Sequence, residues 1–363
     1  MDNAVREGIR RLVPYPPGKP IEELERELGI TGSIKLASNE NPLGPSPEAV
    51  KAILEEIPKL NRYPDGSAYY LRKKLSGVFN VPFERTIVGN GSNELIELLV
   101  RTFLSEGDPV VQTYPTFLMY EKIVTGAGGR MVSVPLNGWK ADPDRIVAAA
   151  RNSARFLFIN NPNNPTGTAL NKEELEYILR RIPEKLIVVL DEAYIEFASD
   201  PLVADGVSLM DVHPRLCVLR TFSKIYGLAG LRIGYGFGAE GLVDFMNRVR
   251  QPFNANSLAQ AAAVAALGDD EFRERTLDLV KNGLFFLYGA LDDLGLDYVP
   301  TQANFFLIRV PGGGRRVYEA MLREGVIVRA MDSYGLPDYI RISVGTETEN
   351  RRFVDTLKKI IKY

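Results

Sequence analysis

Short apolar segments alternate with amphipathic segments through the middle of the chain. Residues 187–190 and 216–219 are continuous apolar runs, a pattern typical of strands buried on both faces. Segments 93–103 and 172–181 instead repeat apolar residues at helical spacing. This alternation predicts an α/β fold with a largely parallel sheet flanked by helices. The predicted strands are 86–88, 109–112, 130–134, 156–159, 186–190, 216–220 and 232–236.

The two ends of the chain have different patterns from the middle. Residues 1–45 are rich in Pro and Gly and contain one short helical pattern at 21–28, which predicts an N-terminal arm. Helices are predicted at 47–57 and 67–79, and the stretch 256–293 is nearly all helical. After it, strands are predicted at 304–309, 326–328 and 339–343, with helices at 315–324 and 348–361. We therefore expect three parts: 1–45 as the arm and part of a small domain, 46–255 as a large domain, and 256–363 as a helical connection and C-terminal small α+β domain.

Composition narrows the class of protein. The 363 residues are 45% hydrophobic and 25% charged, with a formal net charge of -2, so no nucleic-acid or membrane-surface partner is expected. A single cysteine, Cys217, excludes an internal disulfide, and no apolar run of about 18 or more residues and no signal segment is visible, which favours the cytoplasm. The single histidine, His213, leaves little room for a histidine-based metal site or catalytic triad, and no metal is expected.

Groups suited to one cofactor follow two neighbouring predicted strands. Asp191 ends one apolar run, and Thr221, Ser223 and Lys224 follow the next, with Arg232 eight positions later. Carboxyl ends of parallel strands are the place where α/β folds bind ligands. A lysine can form a Schiff base with an aldehyde, hydroxyls and an arginine can hold a phosphate, and an aspartate can keep a pyridine nitrogen protonated. This combination predicts a pyridoxal phosphate (PLP) site.

Three further segments fit the same site. Residues 89–94 follow a strand and open a helix, so small residues and the helix start favour an anion there. Residues 160–167 contain four Asn and two Pro after another strand, and an Asn of this loop could donate to the cofactor O3′ oxygen, as could Tyr194. Phe117 could stack on the pyridine ring.

These motifs resemble those of the fold-type I PLP aminotransferases, and within them most closely the histidinol-phosphate aminotransferases. The matching segments run along the whole chain and include 38–45, 61–65, 89–94, 115–117, 161–167, 191–197, 220–232, 303–305, 325–329 and 340–345. The resemblance implies a large PLP-binding domain with a mostly parallel sheet, and a small α+β domain.

The resemblance also implies a role for each site residue. Lys224 is the Schiff-base lysine, Asp191 pairs with the pyridinium nitrogen, and Asn164 and Tyr194 bind O3′. The remaining implied contacts are Phe117 on the ring; Ser92, Asn93, Thr221, Ser223 and Arg232 on the phosphate; Tyr63 from the neighbouring subunit; and Arg329 and Arg341 on the substrate anion. Many relatives have Tyr where this chain has Phe117, a difference that keeps the stacking and drops a hydroxyl.

The implied reaction is ping-pong transamination. L-histidinol phosphate and 2-oxoglutarate would give imidazole-acetol phosphate and L-glutamate, a step of histidine biosynthesis, in a homodimer with shared active sites. Two alternatives keep the same cofactor: an aromatic or prephenate-type aminotransferase and a threonine-phosphate decarboxylase. A non-catalytic PLP-fold regulator would need a DNA-binding segment, and no basic helix-turn-helix stretch is visible.

Overall fold

The computed structural model describes residues 4–10, 12–15 and 17–361. Residues 1–3, 11, 16, 362 and 363, which fall within the two predicted terminal parts of the chain, lie outside this description. The strands are β1 (Ile34–Lys35), β2 (Thr86–Gly89), β3 (Pro109–Tyr114), β4 (Arg130–Pro135), β5 (Phe156–Asn160), β6 (Ile187–Asp191), β7 (Leu216–Thr221), β8 (Gly234–Phe237), β9 (Tyr298–Val299), β10 (Phe305–Arg309), β11 (Val326–Ile327), β12 (Arg329–Ala330) and β13 (Tyr339–Ser343).

The helices flank these strands along the chain. They are α1 (Glu7–Arg10), α2 (Ile21–Leu28), α3 (Pro47–Glu56), α4 (Tyr69–Phe79), α5 (Ser92–Phe103), α6 (Met119–Gly126), α7 (Pro143–Ala150), α8 (Lys172–Arg181), α9 (Glu240–Val249), α10 (Ser257–Ala266), α11 (Asp270–Asp293), α12 (Gly314–Arg323) and α13 (Glu347–Ile361). No helix in the described ranges is long and apolar enough to cross a membrane.

A seven-stranded sheet in the order β2-β8-β7-β6-β5-β3-β4 forms the centre of the large part. Only β8 runs antiparallel to its neighbours, β2 and β7, so the predicted largely parallel sheet is confirmed. One strand begins two residues later than predicted from the sequence. The strand expected at 232–236 starts at Gly234, because Arg232 has a left-handed backbone (φ 57°) that ends the preceding 3-10 turn.

The central strands position the site. Every residue of β5, β6 and β7 is buried, as their continuous apolar sequences predicted. These strands run parallel and in register, with Asn160 beside Asp191 and Asp191 beside Leu219. Their carboxyl ends therefore bring Asn160, Asp191 and Thr221 to one edge of the sheet.

The helices are held in place by their apolar faces and are stabilised by capped ends. The amphipathic helix α5 buries Leu95 and Leu99 against the sheet. Helix α8 begins with a capping box, in which Asn171 accepts from the Glu174 backbone and the Glu174 side chain accepts from the Asn171 backbone. Capping satisfies backbone N–H groups that have no partner within the first turn of a helix.

A second, four-stranded antiparallel sheet in the order β12-β13-β10-β9 lies in the C-terminal part. The strand predicted at 326–328 ends at Ile327, and β12, which begins at Arg329, was not predicted; β11 pairs in parallel with β1, whereas β12 joins the four-stranded sheet. The N-terminal segment is thus tied to the C-terminal part through Ile34, which lies opposite Val326. The predicted domain boundaries at residues 45 and 255 stay predictions.

Candidate functional site

A cavity of about 290 Å³ lies at the carboxyl edge of β5, β6 and β7. Its walls include every predicted cofactor contact except Tyr63, and the predicted substrate residues Arg329 and Arg341 are not among the lining residues. The lining residues are Ser38, Glu40, Ser92, Asn93, Phe117, Asn160, Asn164, Asp191, Ala193, Tyr194, Thr221, Ser223, Lys224, Ala229 and Arg232. The structure therefore brings together residues that are as much as 194 positions apart, from Ser38 to Arg232.

Lys224 extends into this cavity from the turn after β7. Its Nζ donates to the Ser38 carbonyl oxygen at 3.1 Å and lies 5.6 Å from the centre of the Tyr194 ring. Burial, and then the positive charge of Arg341, lower the pKa of Lys224 to about 8. A much larger share of this amine is neutral near neutral pH than of an exposed lysine, and a neutral amine is the form that acts as nucleophile or base.

Asp191 lies at the end of β6, where its carboxylate is fully enclosed. Oδ2 accepts from the Tyr120 hydroxyl at 2.6 Å, and Oδ1 accepts from the Ala193 N–H at 3.3 Å. Burial raises the pKa of Asp191 to about 6, whereas these hydrogen bonds and the charge of Lys224 act in the opposite direction. The group is charged at neutral pH and can pair with a cationic ring nitrogen.

Asn164 and Tyr194 offer hydrogen-bond donors on the same side of the cavity. The Oδ1 of Asn164 accepts from Arg341 Nη1, which leaves the Nδ2 group of Asn164 available as a donor. The Tyr194 hydroxyl accepts from Asn39 Nδ2 at 3.0 Å and keeps its own hydrogen to donate. Burial raises the pKa of Tyr194, so this hydroxyl stays protonated.

The opposite side of the cavity is suited to an anion. Helix α5 begins there at Ser92, so its first backbone N–H groups and its dipole favour negative charge. The Thr221 hydroxyl donates to Ser223 Oγ at 2.9 Å and accepts from the Ser223 backbone N–H at 3.0 Å. Arg232 adds a guanidinium, which suits a phosphate better than an ammonium does.

Two glycines allow this anion site to form. A Cβ on Gly91 (φ 76°) would lie 2.6 Å from Arg232 Nη2, and a Cβ on Gly234 would lie 2.3 Å from the Ser92 backbone nitrogen. A side chain at either position would push the guanidinium or the helix start out of place. The groups around the cavity therefore fit PLP: a lysine for the aldehyde, a carboxylate for the ring nitrogen, and two hydroxyls, an arginine and a helix start for the phosphate.

Phe117 forms an aromatic wall of the cavity. It is half-buried and packs edge-on against Tyr120, with ring centres 5.5 Å apart and an interplanar angle of 85°. The stacking role predicted for Phe117 needs a ring at the cavity surface, and this position meets that need.

Tyr63 lies on the outer surface, away from this cavity. Its side chain is 81% exposed and stacks on Phe253 with ring centres 4.7 Å apart and an interplanar angle of 16°. It touches none of the cofactor contacts predicted for its own chain, so its predicted role depends on a second subunit.

Arg329 and Arg341 lie side by side on the antiparallel strands β12 and β13. They are 8% and 4% exposed, respectively. Arg341 donates from Nη2 to the Ala37 carbonyl at 2.9 Å, and its Nε has no hydrogen-bond partner within the described residues. The Arg329 guanidinium lies 5.3 Å from the centre of the Tyr15 ring. Arg341 is joined to the cavity wall by its bond to Asn164, and Arg329 does not line the cavity.

A buried ion pair lies behind the cavity. Arg220, next to Thr221 on β7, donates from Nη2 and Nε to Glu192 Oε2 at 2.8 and 3.0 Å. Glu192 Oε1 accepts from the Gly206 N–H at 2.6 Å. Because Glu192 follows Asp191 directly, this pair ties the ends of two strands together beneath the cofactor contacts.

Sequence reasoning missed some members of the site. Ser38 and Asn39 belong to a segment that matched the family, but no role was assigned to either. Tyr120 was not singled out, although its spacing of three from Phe117 puts both rings on one side of the start of α6. Its contact with Asp191, 71 positions away, leaves no local signal. In the described ranges, no group of three or more His, Cys, Asp or Glu side chains could hold a metal ion.

Comparison with known proteins agrees with this geometry. The model of the family "Aminotransferase class I and II" matches residues 31–357. The chain belongs to the aminotransferase class I and II family. Histidinol-phosphate aminotransferase of Desulfotalea psychrophila is 48% identical over 99% of this chain and 95% of its own length. Histidinol-phosphate aminotransferase 1 of Nitrosococcus oceani is 46% identical over 98% of this chain and 96% of its own length.

Solved structures of other proteins have the same fold. The histidinol-phosphate aminotransferase of Sinorhizobium meliloti, solved in complex with pyridoxal 5′-phosphate, superimposes with a TM-score of 0.90 at 28% identity, over 99% of this chain and 98% of that one. An aspartate aminotransferase variant of Thermus thermophilus, at 23% identity and a TM-score of 0.85 over 98% of this chain and 99% of that one, shows the fold alone. The predicted fold-type I aminotransferase fold is thus confirmed.

Proposed function

We propose that this protein is a PLP-dependent histidinol-phosphate aminotransferase of histidine biosynthesis. It moves the amino group of L-histidinol phosphate to 2-oxoglutarate, giving imidazole-acetol phosphate and L-glutamate. One observation carries the proposal: Lys224 and Asp191 line one cavity with an anion-binding helix start, beside two buried arginines on paired strands. The names of the relatives, 42–48% identical over nearly the full chain, support the choice of substrate.

Each part of the cofactor would be bound by a different set of residues around the cavity. Lys224 would bind the aldehyde, Asp191 the ring nitrogen, Asn164 and Tyr194 the O3′ oxygen, and Phe117 one face of the ring. The phosphate would be held by Ser92, Asn93, Thr221, Ser223 and Arg232. When bound, PLP supplies an aldehyde that condenses with amines and a protonated ring that withdraws electrons from the substrate Cα.

Lys224 is the proposed proton carrier of the reaction. With PLP bound, the Nζ of Lys224 would be the group placed to take the proton from the substrate Cα and to return it at C4′ of the cofactor. A pKa of about 8 suits both steps, because the amine can accept and release a proton near neutral pH. Asp191 keeps its negative charge beside the ring nitrogen throughout.

Arg329 and Arg341 are the proposed anion-binding pair. Arginine is always charged and presents a planar set of donors that match phosphate and carboxylate. Arg341 is close enough to the cavity to bond Asn164, so we assign to it the carboxylate of 2-oxoglutarate as well as the substrate phosphate. We assign to Arg329 a second contact with the dianionic phosphate only.

A homodimer with shared sites is part of the proposal. Tyr63 would contact the cofactor phosphate of the neighbouring subunit, which its exposure on the outer surface allows. Large exposed apolar side chains lie nearby in sequence, as at many protein–protein interfaces; they are Val50, Leu54, Ile57, Leu60, Tyr69 and Tyr70. Light scattering on the purified protein measures the assembly, and a monomer with full activity would remove this part of the proposal.

Two features expected from the sequence are proposed alongside the reaction. The first is the division into parts at 1–45, 46–255 and 256–363, which limited proteolysis and mass spectrometry would test through the positions of the first cuts. The second is a cytoplasmic location, which cell fractionation would test.

A panel of substrates tests the reaction itself. Purified protein with PLP and 2-oxoglutarate is given L-histidinol phosphate, phenylalanine, tyrosine or threonine phosphate, and L-glutamate and CO2 are measured. We expect the highest kcat/KM for L-histidinol phosphate, with glutamate formed and no CO2. Faster glutamate formation from phenylalanine or tyrosine would favour the aromatic aminotransferase. Release of CO2 from threonine phosphate would favour the decarboxylase.

A further inference from the structure

We propose that Tyr120 is a positioning residue for Asp191. Its hydroxyl holds Oδ2 of the carboxylate, so that Oδ1 is presented to the ring nitrogen of the cofactor. The inference rests on the PLP site proposed above and adds to it a residue that contacts neither substrate nor cofactor. Tyr120 is completely buried in the first turn of α6.

The surroundings of Tyr120 fix its ring. It stacks on Phe158 of β5 with ring centres 4.8 Å apart and an interplanar angle of 13°, and Phe117 packs against it edge-on. Its hydroxyl lies 2.6 Å from Asp191 Oδ2. One side chain therefore contacts both the proposed partner of the ring nitrogen and the proposed stacking residue, so its placement affects the two together.

The direction of the hydrogen bond follows from the pKa of the phenol. Burial first, and then the charge of Asp191, raise the pKa of Tyr120 well above its ordinary range, so the hydroxyl remains a donor. A carboxylate that has one oxygen held by a strong donor cannot rotate freely. The other oxygen, Oδ1, has only the 3.3 Å contact with the Ala193 N–H and keeps a lone pair for the cofactor.

The same hydroxyl also favours the charged form of Asp191. The charged and titratable groups that face this carboxylate are Tyr120 from α6, Lys224 after β7 and Tyr194 after β6, and Tyr334 lies near Tyr120. Burial raises the pKa of Asp191, and the bond from Tyr120 is the first of the contributions that oppose it. Removal of the hydroxyl should therefore move the pKa of Asp191 upward.

Tyr120→Phe tests the inference because it removes one oxygen atom and keeps the ring. PLP is titrated into the apoprotein over a range of pH, with binding followed by absorbance. A protonated Asp191 must lose its proton to pair with the pyridinium, so PLP affinity falls as pH drops below the pKa of Asp191. We expect this fall to begin at higher pH in Tyr120→Phe than in the wild type. At pH values above the pKa of Asp191, the PLP affinity of the variant should be roughly tenfold lower, a typical effect of losing one hydrogen bond to a charged group. The kcat should fall, while KM for the substrates stays nearly unchanged.

Two comparisons separate this role from a purely structural one. Tyr288→Phe also removes a phenol hydroxyl, from a half-buried tyrosine that accepts from the Thr301 N–H at 3.1 Å, and should leave the pH dependence unchanged. In an Asp191→Asn background, Tyr120→Phe should have no further effect on PLP affinity, because the two residues act as one unit. An unchanged pH dependence in Tyr120→Phe, or an undiminished effect in the Asn background, would overturn the inference.

A second pair of variants covers the case of a folding defect. Tyr120→Gln introduces a side chain with a hydrogen-bond donor, whereas Tyr120→Leu introduces a side chain of a size similar to Gln but without a donor. Only the Leu variant should therefore show the full shift of the pH dependence. Equal shifts in both would contradict the inference. If the wild-type apoprotein binds no PLP at any pH, the cofactor proposal itself fails and takes the inference with it.

Discussion

The two charged regions of this protein are built differently. The cofactor edge of the large sheet draws Asp191, Thr221 and Lys224 from the ends of two adjacent strands and the turn that follows, close together in sequence. The arginine region of the small sheet joins Arg341 to the Ala37 carbonyl across 304 positions and places the Arg329 guanidinium over the ring of Tyr15. The three groups named for the first region come from residues 191–224, whereas the second region forms only once both ends of the chain have met.

The two regions also differ in how far their charges are already satisfied. At the cofactor edge, Asp191 has a donor on each oxygen, and Glu192 is bonded to Arg220 directly behind it. In the arginine region Arg329 and Arg341 lie directly opposite each other on paired strands, and Arg341 Nε has no hydrogen-bond partner in the described part of the chain. A bound anion would supply an acceptor for that N–H, so we expect the first region to be preorganised and the second to be stabilised by ligand.

The largest expected effect lies at the cofactor edge. Lys224→Ala should reduce turnover by more than about 10⁴-fold, the upper end of what a positioned proton-transfer group supplies, and should abolish the visible absorbance that depends on the covalent bond to the cofactor. Lys140, paired with Glu174 on the surface at 2.7 Å, provides the control Lys140→Ala, which should behave as wild type. Borohydride treatment followed by mass spectrometry locates the labelled lysine. Labelling of any lysine in Lys224→Ala would contradict the assignment.

Asp191→Asn comes next in expected effect. The amide is neutral and cannot stabilise a protonated ring nitrogen, so Cα–H cleavage should slow by about 10²–10³-fold, the range for one preorganised electrostatic partner. PLP should remain bound through the phosphate contacts. Stopped-flow measurement of a single half-reaction isolates this step. A rate within about tenfold of wild type, or about 1.4 kcal/mol in the barrier, would remove Asp191 from this role.

The same contrast explains how much could be predicted from the sequence. The apolar runs of β5, β6 and β7 identified the sheet, and the polar residues directly after them identified the cofactor edge, because strand ends place side chains by local geometry alone. The left-handed turn at Arg232 and the separate strand β12 at Arg329–Ala330 could not be predicted in this way. The pairing of β11 with β1 depends on a partner distant in sequence, as does the bond from Tyr120 to Asp191.

Arg329→Ala tests the arginine region. It should raise KM for L-histidinol phosphate by roughly tenfold to a hundredfold, as expected for the loss of one charge-assisted contact worth about 1.5–3 kcal/mol. The KM for 2-oxoglutarate should be much less affected. The reason is that a dianionic phosphate engages two arginines, whereas the carboxylate of the co-substrate is served by Arg341. Separate kinetics of the two half-reactions measure both values.

The matched control is another arginine of the same sheet. Arg309 ends β10, is 57% exposed and has only a 3.9 Å pairing with Asp297, so Arg309→Ala should change neither KM. Equal losses for both substrates in Arg329→Ala would mean that the arginine has no special role toward phosphate, and the aromatic aminotransferase would then become the better proposal.

The smallest expected effect is at Tyr63, which would connect the cofactor edge of one subunit to the surface of another. Tyr63→Phe should weaken PLP affinity by about 0.5–1.5 kcal/mol, the usual net value of one hydrogen bond, or roughly two- to tenfold. Tyr70→Phe, a change at another exposed tyrosine, should leave PLP affinity unchanged. Equilibrium dialysis of PLP against each apoprotein measures the difference.

Mixed dimers decide which subunit Tyr63 serves. When Tyr63→Phe chains are combined with Lys224→Ala chains, a Tyr63 that crosses the interface puts both lesions into one site and leaves the other site intact. The mixture should then contain active sites with wild-type PLP affinity. If Tyr63 serves its own subunit, every site in the mixed dimer carries one lesion, and no site regains wild-type affinity. That second result would mean that each cofactor site is formed by one subunit alone, and the surface position of Tyr63 would need another explanation.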